Sequence, residues 1–127
     1  MKSKTIITIS RILLGLSLIL VFVLSVIQLP DTSLTAGRDK LFHGLAYTAL
    51  GALAVLSVFR KRHPIQTVLL SALLCAVYGG FLELIQQSVG RTSDIIDALV
   101  NSFGALLGSL IGLGLHALLT HRTSVNE

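Results

Sequence analysis

DKLFHGLAYTALGALAVLSVF, residues Asp39 to Phe59, is the stretch on which the fold turns. From Leu41 onward it is apolar or small almost throughout, and it approaches the ~20 residues a helix needs to cross a bilayer. Its first turns nevertheless carry Asp39, Lys40, His43 and Tyr47. Asp39, His43 and Tyr47 recur at i, i+4 and i+8, so on a helix they form one stripe. At ~1.5 Å rise per residue, Tyr47 lies ~12 Å along the axis from Asp39, well inside the hydrocarbon if Asp39 marks its edge. An ionisable group turned to lipid costs at least ~2.5–3.5 kcal/mol on insertion scales, so the stripe is expected to face protein.

Working outward, three further runs have the same character: Ile6 to Ile27, Ile65 to Gln86 and Ile95 to Leu119, with Leu41 to Phe59 the second of four. The chain has 127 residues, 53% of them hydrophobic and only 13% charged, and its mean hydropathy is +0.84. Such values lie outside the range of soluble domains. The reading is all-α: an integral membrane four-helix bundle forming one domain over residues 1–127. The apolar part of the first run exceeds the ~7–15 residues of a signal core and no A-x-A-like site follows, so it is expected to remain as a span. Pro30 and Asp31 after helix 1, Pro64 at the start of helix 3 and Gly90 after its end mark the turns. The single Cys75 allows no intrachain disulfide.

Charge sets the expected orientation. Lys2, Lys4, Arg11, Arg60, Lys61, Arg62 and Arg122 fall on the side shared by the N-terminus, the loop between helices 2 and 3, and the C-terminus. Short loops rich in Lys and Arg stay cytoplasmic, which gives the expectation of an N-in/C-in topology. The net charge of +4 is then a topology signal, and no folded module supports a nucleic-acid partner.

The other side carries every acid except Glu127, together with Arg38, Lys40 and Arg91. Glu83 and Gln86 lie three apart on helix 3, Asp94 and Asp97 three apart at the start of helix 4, and Asn101 one turn after Asp97. Three stripes at matched depth can converge only in the bundle interior. Asp39, Lys40, His43, Tyr47, Glu83, Gln86, Arg91, Asp97 and Asn101 are therefore the candidate ligand-binding set. The plainer reading stands beside it: Asp39 and Asp94 occupy N-cap positions, Asp97 completes a box-like arrangement, and the polar side chains clamp helices together for ~0.6 kcal/mol per pair. His63, His116 and His121 read as side chains at the inner interface.

The series Asp39-Lys40, His43, Tyr47, Glu83-x-x-Gln86, Arg91, Asp97, Asn101, Gly104 and Gly108 resembles the VanZ-like family of small bacterial membrane proteins over roughly residues 39–108. One departure is Gly44, where the resemblance implies a bulky aromatic beside the histidine. The resemblance implies a place in the cell envelope and a link to glycopeptide resistance, teicoplanin in particular, or to envelope homeostasis. Gly104, Gly108 and Gly112 form a small-xxx-small seam suited to close helix contact, within the bundle first and with a second copy as the other use.

No H-E-x-x-H, G-x-S-x-G or P-loop is present. His43, Glu83 and Asp97 could together bind a divalent ion or move a proton, but their spacing does not require it. No cofactor and no metal are expected, and binding is read ahead of turnover. The function expected is recognition of an envelope lipid or lipid-linked headgroup in an outward-facing polar cleft. Lys40 and Arg91 would contact the anion, His43, Tyr47, Gln86 and Asn101 would orient it, and Glu83 with Asp97 would hold the cations. The alternatives are a membrane hydrolase or transferase acting on such a headgroup, a small lipid transporter, and an assembly subunit whose polar network is only structural.

Overall fold

The computed structural model describes residues 3–27, 38–58, 63–90 and 94–124, without the side chains of residues 3, 39 and 122–124. Four helices follow one another: α1 (Ser3–Val26), α2 (Arg38–Val58), α3 (Pro64–Ser88) and α4 (Ile95–Ser124). All four are long and apolar enough to cross a membrane. The protein is a multi-pass, all-α membrane bundle. Its large apolar side chains lie mostly outside: Leu16, Ile19 and Leu20 of α1, Leu73 and Val77 of α3, and Leu99 and Phe103 of α4 are all exposed, as a hydrocarbon solvent requires.

Hydropathy places the start of helix 2 at Leu41, but the backbone is already helical at Arg38. Apolarity registers only the part in hydrocarbon, whereas a helix can continue through the polar interface. Asp39 consequently lies inside the first turn of α2 rather than ahead of it as an N-cap. Asp94 is a true cap: its Oδ1 accepts the Ile96 N–H at 3.0 Å, and its carbonyl accepts the Asp97 N–H at 2.9 Å. Pro64 takes the first helical position of α3 after His63, where its missing N–H costs nothing. At the other end Gly90 has φ 80° and donates its N–H to the Gln87 carbonyl at 3.2 Å, a left-handed helix stop that suits glycine.

The bundle is built around the pairing of α2 with α4. A Cβ added to Gly104 would lie 2.7 Å from the Gly44 carbonyl oxygen, one on Gly112 would lie 2.7 Å from that of Ala52, and one on Gly108 would collide with that of Thr48. Gly51 of α2 presses in return on the Ala105 carbonyl. Each four-residue step advances both helices the same way, so α2 and α4 run parallel. The glycine seam is thus occupied inside the chain. Tyr47, Leu50, Cys75 and Ala105 form the core beside it. Polar contacts also hold α1: Tyr78 donates its hydroxyl to the Leu18 carbonyl at 2.7 Å, and Arg11 Nε donates to the Ser57 carbonyl at 3.1 Å.

Candidate functional site

Because α2 and α4 are parallel, their N-termini open on the same end of the bundle, which brings Lys40 to the first turn of α4. Its Nζ lies 3.1 Å from Asp97 Oδ1 and 3.3 Å from Asp94 Oδ2. The side chains of Lys40 and Asp94 remain 44% and 47% exposed, while that of Asp97 is 19% exposed. Two of the three ammonium donors are used and one is left for another acceptor. The Ile96 N–H, and after it Lys40, hold the Asp94 carboxyl below its ordinary value. Asp97 thus directs its carboxylate across to α2, and the box expected at this helix start is only half made.

One turn deeper, His43 Nδ1 lies 3.2 Å from Asn101 Oδ1. If Oδ1 is the acceptor, the ring carries its proton on Nδ1 and offers Nε2 as an acceptor. Deeper again, the Tyr47 ring packs on Gly79 of α3, where an added Cβ would meet its Cε1 at 3.0 Å and its hydroxyl at 3.2 Å. Gly79 opens the way for a second row of polar groups, since Glu83 and Gln86 follow it on the same buried face of α3. Tyr47 is 1% exposed, Asn101 2%, Gln86 4% and Glu83 6%. Counting ~1.5 Å per residue from the helix ends, His43, Glu83 and Asn101 lie ~7–9 Å deep. Glu83 Oε2 is buried with no hydrogen-bond partner among the described residues.

The helices of the sequence series are therefore assembled around an interior polar column. The sequence model of the VanZ/LLP1 family matches residues 4–116, most of the chain. The chain belongs to the VanZ/LLP1 family. No curated protein and no solved structure gives a significant match.

For this VanZ/LLP1 protein, Arg91 lies outside the described residues, as does the side chain of Asp39. Lys40, expected to read a ligand's anion, is largely engaged by the protein's own acids. The polar column also lies apart from the open groove. That groove, of about 490 Å³, runs between α2 and α4 and is lined by apolar and small residues, with Lys40 at its polar end. Gly44 and Gly104 are among its lining residues, and neither carries a side chain to fill it. Among the described residues, no three His, Cys, Asp or Glu side chains are grouped as a metal site.

The contacts of two residues and the burial of a third were not legible in the sequence. Tyr78 and Arg11 tie α1 to the bundle through backbone carbonyls, contacts that no residue spacing announces. His116, read as interfacial, is 5% exposed. It falls eight residues before the end of α4, and that helix continues past the hydrocarbon edge that the hydropathy suggested.

Proposed function

We propose that this VanZ/LLP1 protein binds a membrane lipid or lipid-linked envelope precursor through a hydrogen-bond donor on its headgroup. The observation that carries the reading is the unpartnered Glu83 Oε2, buried beside Gln86 and one turn from the Tyr47 contact at Gly79. A buried acceptor left without a donor costs ~1–3 kcal/mol, more when charged, and a ligand hydroxyl or ammonium that supplies one would offset that cost. His43 Nε2, Tyr47, Gln86 and Asn101, on the inner faces of α2, α3 and α4, are groups able to orient a headgroup. Lys40 and Asp97 sit above them as a charged rim. The Lys/Arg asymmetry puts this end on the extracytoplasmic side of a bacterial plasma membrane.

The test compares wild type with Glu83→Gln, purified in one detergent, by mass spectrometry of co-purifying lipid and by melting temperature. Gln retains shape and removes charge. A several-fold drop in one lipid class at an unchanged or raised melting temperature supports binding. Unchanged lipid content with a lowered melting temperature overturns it in favour of the structural reading, which the self-paired His43–Asn101 and Lys40–Asp97 contacts favour. Teicoplanin susceptibility of cells carrying each variant is the corresponding cellular readout.

A further inference from the structure

We infer that the groove between α2 and α4 seats a single acyl chain of a phospholipid whose headgroup lies beside Lys40 and Asp94. The inference rests on the lipid-binding reading for its class of ligand, but it uses a surface separate from Glu83. Its first support is length. The groove follows α2 from Lys40 to Thr48 and α4 from Ile96 to Leu107, which at ~1.5 Å per residue is ~12 Å and ~16 Å. The hydrocarbon of one leaflet is half of ~30 Å. A groove that starts at a charged interface and ends near the midplane matches one lipid tail. A partner helix crossing the membrane would need a face of twice that length.

The second support is the chemistry along its axis. Gly44 and Gly104, in close backbone contact, form the floor of the groove, and Leu45, Leu99, Phe103 and Leu107 are among its lining residues. At the open end, Lys40 keeps one free donor and Asp94 is half exposed. A headgroup carrying a phosphate and an ammonium complements both: its phosphate oxygen accepts from Lys40 Nζ, and its ammonium donates to Asp94. An apolar chain ending in a zwitterion therefore fits the groove from one end to the other. The ~490 Å³ volume lies within the range of small-ligand sites.

The test reconstitutes the full chain in vesicles of phosphatidylethanolamine and phosphatidylglycerol. A trace of phosphatidylethanolamine bearing a diazirine in one acyl chain is added, and photo-adducts are mapped by mass spectrometry. Adducts should concentrate on Leu41–Thr48 and Ile96–Leu107, several-fold above Leu16, Ile19 and Leu20 of α1, which are as exposed as the groove's Leu45 and Leu99. Gly44→Phe should reduce groove adducts to the α1 level. Because that variant crowds the helix seam, Leu99→Trp at an exposed rim position serves as a second block. Gly80→Phe, at a site with nothing within 4 Å, should change nothing. Even labelling of α1 and the groove would reduce the groove to ordinary annular contact and overturn the inference. So would a disulfide dimer through Phe103→Cys in a Cys75→Ser background, since a second copy would then fill the groove. Groove labelling that persists in Glu83→Gln, with bulk lipid retention unaffected, keeps this inference while removing the headgroup reading; the opposite pattern does the reverse.

Discussion

Alanine at position 108 would place its methyl group against the Thr48 carbonyl oxygen, and neither backbone can withdraw without opening the seam. Gly108→Ala should therefore destabilise the bundle by about 1–3 kcal/mol, read as a lower midpoint in detergent-induced unfolding. At Gly15, Gly80 or Gly114, which have nothing within 4 Å, alanine should be neutral or stabilise by up to ~1 kcal/mol, because only helix propensity changes. One substitution, opposite signs, is the mark of a contact rather than of glycine itself. The His43–Asn101 pair invites a double-mutant cycle with alanine, expected to return ~0.6 kcal/mol of coupling and no more than ~1.7. A zero coupling would mean the 3.2 Å contact carries no weight in the membrane. Most of this polar column was legible in the sequence, since His43, Tyr47, Glu83 and Asn101 stand at helical spacing in apolar runs. Which of them bond each other was not legible, because spacing fixes a face and a depth but not the rotation of one helix against the next. Asp97 reads in the sequence as holding a cation and does hold Lys40, whereas Asp94, which reads only as a cap, shares the same ammonium in the fold.

Asp94 shows how an element end responds to acid. Its carboxyl is lowered below the ordinary 3.8 by the Ile96 N–H and then by Lys40. A group whose value is depressed on folding contributes stability above its unfolded value and loses it as pH falls through the folded one. Protection of the first-turn amides of α4, their exchange set against the intrinsic rate at the same pH, should accordingly fall as pH drops below about 3.8, and Asp94→Ala should show the lower protection at neutral pH with that acid response gone. An unchanged Ile96 amide would contradict the cap. Element existence was open to reading from hydropathy alone, and so were Pro64 and Gly90 as boundaries. The pairing of elements was not, since the glycines at 104, 108 and 112 announce a close neighbour without naming it. Only the matched partners Gly44, Thr48 and Ala52 identify α2.

At the scale of the whole molecule the Lys/Arg asymmetry yields a testable orientation. Cysteines introduced at Ser33 and Thr92 in a Cys75→Ser background should react with an impermeant maleimide on intact cells, whereas one at Ser124 should react only after permeabilisation. Labelling of Ser124 alone would invert the bundle and put Lys40 in the cytoplasmic leaflet. The parallel pairing of α2 with α4 also governs how the molecule comes into being. His43 and Asn101 stand 58 positions apart in the chain, and at ~5–20 residues per second of synthesis roughly 3–12 s pass between them. Throughout that interval α2 has left the ribosome with a histidine and a tyrosine on one face, while the helix that will cover them does not yet exist. Besides α1, already made, only α3 appears within that interval, and α3 brings Glu83 and Gln86 to the same place. Nascent α2 must therefore wait beside the insertion machinery, or lean on α3 through Tyr47 and Gly79, until the last helix arrives to close the bundle.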